Sequence, residues 1–157
     1  MLRLDRRRVL HFNVTAHPTA EWTARQLVEA FSEEEAPARF VVRDRDKVYG
    51  ERFQQVTEVL GIEEVITAAR TPWQNPYAER IIGSLRRDCL DHVIVLDEQH
   101  LLRILRDYFG YYNESRCHLS LAGDAPEGRK RQGPELGRVI AVSQVGGLHH
   151  RYERRAA

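Results

Sequence analysis

Apolar residues recur along the first half of the chain in short strand-like runs and at helical spacing. The run at 7–15 is rich in β-branched and aromatic residues and predicts a strand, with residues 6–8 at the tip of a hairpin. Thr19 is a suitable N-cap for a helix that closes near Phe31. A second apolar run at 39–43 predicts a short strand.

The alternation of helix and strand continues beyond this point. Apolar positions 53, 56, 59 and 60 predict a helix that Gly61 terminates, and residues 64–67 predict another strand. A loop at 33–37 separates the earlier helix from the strand that follows it. This order of elements predicts an α/β domain with parallel strand pairs.

Two longer helices are predicted in the second half of the chain. Asn75 is a good N-cap and Pro76 suits the first helical position, so a helix is expected from Pro76 to about Cys89. Leucine and aromatic residues on one broad stripe predict a second helix over about 98–113, with Tyr112 as a core residue. The remainder is rich in glycine and proline, with one short strand expected near 139–142.

Composition narrows the class of protein. A chain of 157 residues, 42% apolar and 30% charged, favours one globular domain, and it lacks an apolar run long enough for a membrane span. The N-terminus has no apolar segment typical of a secretory signal, so a cytoplasmic, reduced protein is expected. The net charge is +1, but residues 128–157 hold seven basic and two acidic residues, a local charge of +5 that suits phosphate contact or a solvated tail.

Two carboxylates stand at positions suited to chemistry. Asp44 follows a predicted strand, where open α/β sheets place their functional sites, and Glu79 lies about one turn into a predicted helix. Carboxylates held this way can bind Mg²⁺, and a pair of such ions can promote phosphoryl displacement. The chain has 23 acidic residues, so this pair taken alone is more typical of solvated surface acids.

Three segments in order resemble the integrase core of bacterial insertion-sequence transposases, a DDE-type, RNase H-like family. They are Asp-Arg-Asp-Lys-Val-Tyr at 44–49, Thr-Pro-Trp-Gln-Asn-Pro-Tyr-Ala-Glu-Arg at 71–80, and the segment from Tyr111 to Leu121. The resemblance extends from about Arg7 to Pro126. It implies an RNase H-like α/β fold, DNA as partner and a homo-oligomer.

The resemblance also implies roles for individual residues. Asp44 matches the second catalytic aspartate, with Asp46 as its rival because the usual Asp-Asn-Gly is here Asp-Arg-Asp, and Glu79 matches the closing glutamate. In the family these acids hold two Mg²⁺ ions. DNA contact is expected from five further residues, namely Arg80, Arg86, Arg87, Arg116 and His118. Solvated arginines, and a His118 that hydrogen-bonds a turn, are the alternatives.

One part of the family pattern has no counterpart here. The first catalytic aspartate belongs to a first strand of the sheet, and the early acid Asp5 falls in a turn too close to Asp44. We therefore expect an N-terminally truncated catalytic core at 1–126, with an incomplete sheet, and a basic tail at 127–157. The expected function is transposase-type DNA strand transfer that is inactive in this chain alone. The alternative is a non-catalytic DNA-binding or subunit-interaction remnant.

Overall fold

The computed structural model describes residues 1–31 and 38–156 of the 157-residue chain. The loop predicted at 33–37 lies outside these residues. No helix in the described part of the chain is long and apolar enough to cross a membrane. The chain divides into two compact units: unit 1 is Met1–Leu2 with Leu10–Ile81, and unit 2 is Arg3–Val9 with Ile82–Ala157.

Unit 1 alternates helices and strands in the predicted order. Its elements are α1 (Ala20–Ala30), β1 (Phe40–Arg43), α2 (Glu51–Val59) and β2 (Glu63–Ile66). A 3₁₀ turn at Pro72–Gln74 then leads into α3 (Pro76–Asp88). Pro76 is the first residue of α3, as predicted from its fixed φ and missing N–H.

The ends of the first two helices follow from single residues. The Thr19 hydroxyl accepts a hydrogen bond from the Trp22 N–H at 3.1 Å and satisfies one of the free donors at the start of α1. After α2, Gly61 adopts a φ of +68°, which residues with a side chain rarely adopt. This allows the Ile62 N–H to bond the Thr57 carbonyl at 2.8 Å and turns the chain into β2.

The two strands of unit 1 form a parallel pair, as the alternation predicts. The register runs from Phe40 opposite Glu63 to Arg43 opposite Ile66. The side chains of Phe40 and Ile66 are both exposed. Parallel strands joined through a helix are compatible with an RNase H-like α/β fold.

The core of unit 1 lies between α1, α2 and the strands. Its buried members are Ala24, Leu27, Phe53 and Ile62, and partly buried apolar residues, including Tyr49 in edge-to-face contact with Phe53 at 5.0 Å between ring centroids, surround them. The apolar periodicity that predicts α1 and α2 therefore corresponds to the faces that meet here.

Unit 2 is built around a long helix. The C-terminal half of α3 leads through a 3₁₀ turn at Leu90–His92 to α4 (Glu98–Glu114), where the Asp97 side chain caps the His100 N–H at 2.6 Å. The predicted stripe of α4 is confirmed. Its buried residues are Leu105, Tyr108, Phe109 and Tyr112.

A β-hairpin occupies most of the segment predicted as a basic tail. Strands β3 (Arg138–Gln144) and β4 (His149–Arg155) pair antiparallel from Arg138 opposite Arg155 to Gln144 opposite His149. The predicted strand at 139–142 is therefore part of β3. The sequence pattern did not predict β4, because its residues are mostly charged or polar and show little apolar alternation.

The prediction of a strand at 7–15 is wrong. This segment forms only one bridge, at Val9, on the far side of a turn from residues 1–3, and Arg7 has a φ of +62°. The backbone bonds are Arg3 N–H to Arg8 O at 2.8 Å and Leu10 N–H to Met1 O at 3.0 Å. A β-branched run forms a strand only where a neighbouring strand pairs with it through backbone hydrogen bonds. Among the described residues, only the short segment 1–3 pairs with this run.

Replacing Leu27 by Ala is expected to destabilise unit 1 by about 3 kcal/mol, because it leaves a cavity in the core. The matched control is Val28→Ala, one position along α1, whose side chain is exposed and whose loss is expected to cost under about 0.5 kcal/mol. Urea unfolding followed by circular dichroism measures both. Equal losses from the two variants would contradict this core.

Candidate functional site

Asp44 lies immediately after β1, at the carboxyl end of the parallel pair. Its carboxylate is exposed and accepts the Asp46 N–H at 3.0 Å, and the Asp46 carboxylate in turn accepts the Val48 N–H at 3.0 Å. These two side-chain turns replace the Asn-Gly that the resemblance leads one to expect. Both carboxylates are thus fixed in one acidic turn at the end of the strand, where α/β sheets carry functional groups.

A buried ion pair anchors the strand that ends in this turn. Arg43 is 6% exposed, and its Nε donates to Glu64 at 2.5 Å, while the other oxygen of Glu64 accepts the Thr57 hydroxyl at 2.7 Å. The Arg43 guanidinium also donates to the Asp44 carbonyl at 3.0 Å. Sequence reasoning missed this network. The signal that could have found it is an arginine inside an otherwise apolar strand, which must be paired if buried.

Glu79 lies in the first turn of α3, where a negative charge is favoured by the helix dipole. Its side chain is exposed. The turn before it is ordered by two bonds to Ala68: the Gln74 side chain accepts the Ala68 N–H at 2.7 Å, and the Thr71 hydroxyl donates to the Ala68 carbonyl at 2.6 Å. The predicted ordered turn before Glu79 is therefore present.

The carboxylates do not assemble into a complete metal centre by themselves. Across residues 1–31 and 38–156, no group of three or more His, Cys, Asp or Glu side chains is placed to hold a metal ion. A two-ion centre needs several carboxylate oxygens to bridge and flank the ions. The described residues thus do not by themselves fit the two-Mg²⁺ site that the resemblance implies.

Three of the five residues predicted to contact DNA lie on the surface of α3. The side chains of Arg80, Arg86 and Arg87 are all exposed. The Arg87 guanidinium lies over Gly83, where a Cβ would come within 3.0 Å of one of its nitrogens. The lack of a side chain at Gly83 therefore leaves room for the guanidinium along the helix.

Arg116, the fourth predicted DNA contact, is held by Asp88. Its Nε and one terminal nitrogen donate to the same Asp88 carboxylate oxygen at 3.1 and 2.9 Å, and the Tyr108 hydroxyl donates to that oxygen at 3.3 Å. Burial, and then the neighbouring Asp88 charge, raise the pKa of the Tyr108 phenol well above its usual range, so it remains a donor. The guanidinium thus has a structural partner, and its contact with DNA stays a prediction.

His118, the fifth, is buried beneath the end of α4. Its ring packs edge-to-face on Tyr112 with centroids 4.8 Å apart, and its backbone N–H bonds the Asp124 carbonyl at 3.0 Å. The backbone of His118, rather than its ring, therefore bonds the turn. The ring Nε2 has no hydrogen-bond partner among the described residues. Burial first, then the charges of Arg116 and Arg7, lower the pKa of the imidazole.

Two further contacts in unit 2 were not predicted. Arg6 donates to the carbonyls of Pro126 and Ala125 at 2.7 and 3.0 Å and forms an ion pair with Asp124 at 3.0 Å. The Asn113 side chain bonds both the N–H and the carbonyl of Val9 at 2.9 Å each. These contacts join residues more than a hundred positions apart, and no local pattern in the sequence indicates them.

The lowered pKa of His118 predicts a stability that falls on acidification. The unfolded imidazole takes up a proton near pH 6.5, whereas the buried ring resists protonation until a lower pH. The unfolded state therefore binds more protons than the folded state as the pH falls through about 6.5, and the free energy of unfolding decreases on acidification from about pH 7. His118→Phe, which keeps a ring against Tyr112, should show a smaller decrease. Parallel pH profiles in urea unfolding would contradict the prediction.

Comparison with protein families gives a match over part of this chain. Residues 60–126 match the family model described as an integrase core domain. A comparison with curated proteins finds no match. The matched residues contain Glu79, the arginines of α3, Arg116 and His118, whereas Asp44 precedes them. The match supports an integrase-core family for this part of the chain, and with it a function related to DNA integration or transposition.

Proposed function

We propose that this chain is part of a transposase-type DNA strand-transfer core and that it does not catalyse strand transfer alone. The observation that carries the proposal is the integrase core match over residues 60–126, which includes Glu79. Asp44 adds a second carboxylate at the carboxyl end of β1, the position that suits catalytic acids in α/β sheets. DNA is the proposed partner, and we propose that the chain binds it in the nucleoid.

The surroundings of Asp44 and Glu79 indicate what these two acids can contribute. Asp44 and Glu79 are exposed and carry no ion pair with a described residue, so their negative charges are open to a partner. Phosphoryl transfer depends on positioning and on stabilising the charge of the phosphate, which two carboxylates without further ligands do poorly. We therefore assign these acids to a centre that needs at least one more carboxylate than the described residues bring to it.

The proposed DNA contact on this chain is the exposed arginine group of α3. Arg80, Arg86 and Arg87 form no ion pair with any residue in the described ranges, so their charges are not neutralised by neighbouring acids. Arg86 and Arg87 lie about two turns beyond Glu79, which brings them back to its side of the helix. Exposed arginines on a helix surface are suited to contacts with DNA phosphates.

The double variant Arg86→Ala/Arg87→Ala is expected to weaken binding to duplex DNA about tenfold at low salt, because two phosphate contacts are lost. The slope of log affinity against log salt should fall by about two. The matched control is Arg103→Ala/Arg106→Ala, which removes two exposed arginines from α4. Fluorescence anisotropy with a labelled duplex measures both, and equal losses would show that α3 carries no special contact.

The purified chain with Mg²⁺ or Mn²⁺ is expected to give no strand-transfer product from a DNA 3′-hydroxyl donor. The reason is the incomplete carboxylate set among the described residues. Gel analysis of labelled DNA checks this, with Glu79→Gln in parallel to identify a contaminating nuclease. A joined product that Glu79→Gln abolishes would overturn the proposed inactivity and place a working centre in this chain.

A second candidate is a DNA-binding or subunit-interaction module without catalysis. The exposed apolar residues of the two-strand sheet in unit 1, Phe40, Val65 and Ile66, favour association, since such side chains are usually covered. On this proposal the chain forms a homo-oligomer. Restoration of strand transfer by a polypeptide that supplies the missing acid would favour the first candidate. Oligomeric DNA binding without any such restoration would favour the second.

A further inference from the structure

The two faces of the β3–β4 hairpin differ in what they contact. The inner face is held within unit 2 by His149, whose ring stacks on Tyr111 with centroids 4.6 Å apart and planes 5° from parallel. The His149 Nε2 also lies 2.7 Å from the Asp88 carbonyl. Since side chains alternate along a strand, the residues at 150, 152 and 154 point to the face opposite His149. The opposite face of the hairpin is therefore the outward one.

An aromatic ring stands at the centre of this outward face. Tyr152 is 67% exposed and lies opposite Ala141, whose small side chain covers little of the ring. His150, opposite Ser143, is exposed on one side of Tyr152, and Arg154, opposite Val139, lies on the other. A tyrosine ring left in water loses the free energy that its burial would supply, so an open ring on a paired hairpin is suited to a contact surface.

The segment that carries the hairpin is strongly basic. Its acid Glu153 pairs with Arg151 at 3.0 Å and with Arg155 at 2.9 Å, both on the inner or terminal side of β4. Three exposed cations of the segment, Lys130, Arg131 and Arg138, form no ion pair with the described residues, but the first two precede β3 and Arg138 falls in the inner set of the alternation. On the outward face, the ring of Tyr152 lies beside Arg154, whose guanidinium donates to the Gly137 carbonyl at 2.9 Å and forms no ion pair with a described residue.

We propose that the outward face of the β3–β4 hairpin binds single-stranded DNA, with a base stacked on Tyr152 and phosphates near the basic residues. Exposed aromatic rings flanked by cations are the elements with which proteins hold unpaired bases. The bases of a duplex are already stacked on one another and offer only their edges in the grooves, so the ring has less to gain there. The choice of DNA over RNA rests on the proposed function.

The same surface is less suited to a protein partner. Val139 and Ala141 are the aliphatic residues on the outward face, and they form too small a patch for the apolar centre of a stable interface. Arg154 opposite Val139, within a basic segment, favours a polyanion, because binding releases the counterions of a phosphate chain. The hairpin also begins beyond Pro126, where the integrase core match ends, so this site is separate from the matched residues.

Anisotropy titration of a labelled thymidine oligonucleotide tests the site in the full chain. Tyr152→Ala is expected to weaken binding about tenfold, whereas Tyr152→Phe keeps the ring and should bind as the wild type does. Tyr152→Leu keeps apolar bulk without an aromatic face and should resemble the alanine variant. Leu119→Ala, which alters a residue that is 99% exposed outside the hairpin, is the control and should have no effect.

A direct readout separates stacking from a structural role for Tyr152. An oligonucleotide containing 5-iodouridine, irradiated while bound, should cross-link to Tyr152, as identified by mass spectrometry of the digested chain. Circular dichroism of each variant verifies folding. A cross-link confined to other residues, or a Tyr152→Ala variant that is folded and binds single strands unchanged, would overturn the proposal.

Failure of this inference and failure of the proposed function are distinguishable. If duplex binding depends on Arg86 and Arg87 but single-strand binding does not depend on Tyr152, the proposal of a hairpin site is wrong and the proposed function stands. If single strands bind through Tyr152 while the duplex is not bound, the α3 contact is wrong and the hairpin site stands. Tighter binding of RNA than of DNA with the same sequence would retain the stacking site and contradict the assignment to DNA.

Discussion

Asp88, the last residue of α3, is the residue on which the packing of unit 2 depends. Its carboxylate accepts bonds from Arg116 and Tyr108, and its carbonyl meets the ring of His149. These contacts connect the end of α3 with the middle of α4, with the segment after α4 and with β4. Polar groups taken out of water destabilise a fold unless they are paired, so the burial of Tyr108 requires the carboxylate of Asp88. The same interaction fixes the inner face of the hairpin and thereby decides which face remains open.

Unit 1 contains a comparable polar interaction at the end of its sheet. The buried pair of Arg43 and Glu64 crosses from β1 to β2, and the guanidinium also bonds the Asp44 carbonyl. Removing one member of such a pair leaves an uncompensated buried charge, which destabilises a protein more strongly than loss of an exposed pair does. The position of the acidic turn therefore depends on a charge pair inside the sheet. Asp44 itself remains exposed, which is the combination a functional acid needs: a fixed backbone and an open carboxylate.

Local sequence predicts the elements of this fold better than their partners. Thr19, Gly61 and Pro76 each act through the backbone of their own neighbourhood, so α1, α2 and α3 could be placed from single residues. The run at 7–15 has the composition of a strand but lacks a ladder, because pairing is a property of the whole fold. β4 shows the converse, because its mostly polar residues form a strand by pairing with β3. In the candidate site, the places of Asp44 after a strand and of Glu79 in the first turns of a helix follow from the local pattern, whereas the partners of Arg116 and the burial of His118 depend on contacts between distant residues.

The five residues predicted to contact DNA separate into two physical classes. The arginines of α3 are exposed and unpaired within the described residues, whereas Arg116 is tied to Asp88 and His118 is buried. A resemblance between sequences shows that the same residue types occur at matching positions. It does not show whether a side chain faces solvent or a neighbouring helix. Within unit 2, Arg116 and His118 act through the packing of α4 and the turn beyond it. Any nucleic-acid surface of this unit must then be built from side chains that burial has left open. On the hairpin these are Tyr152, His150 and Arg154, which lie beyond the residues that match the integrase core.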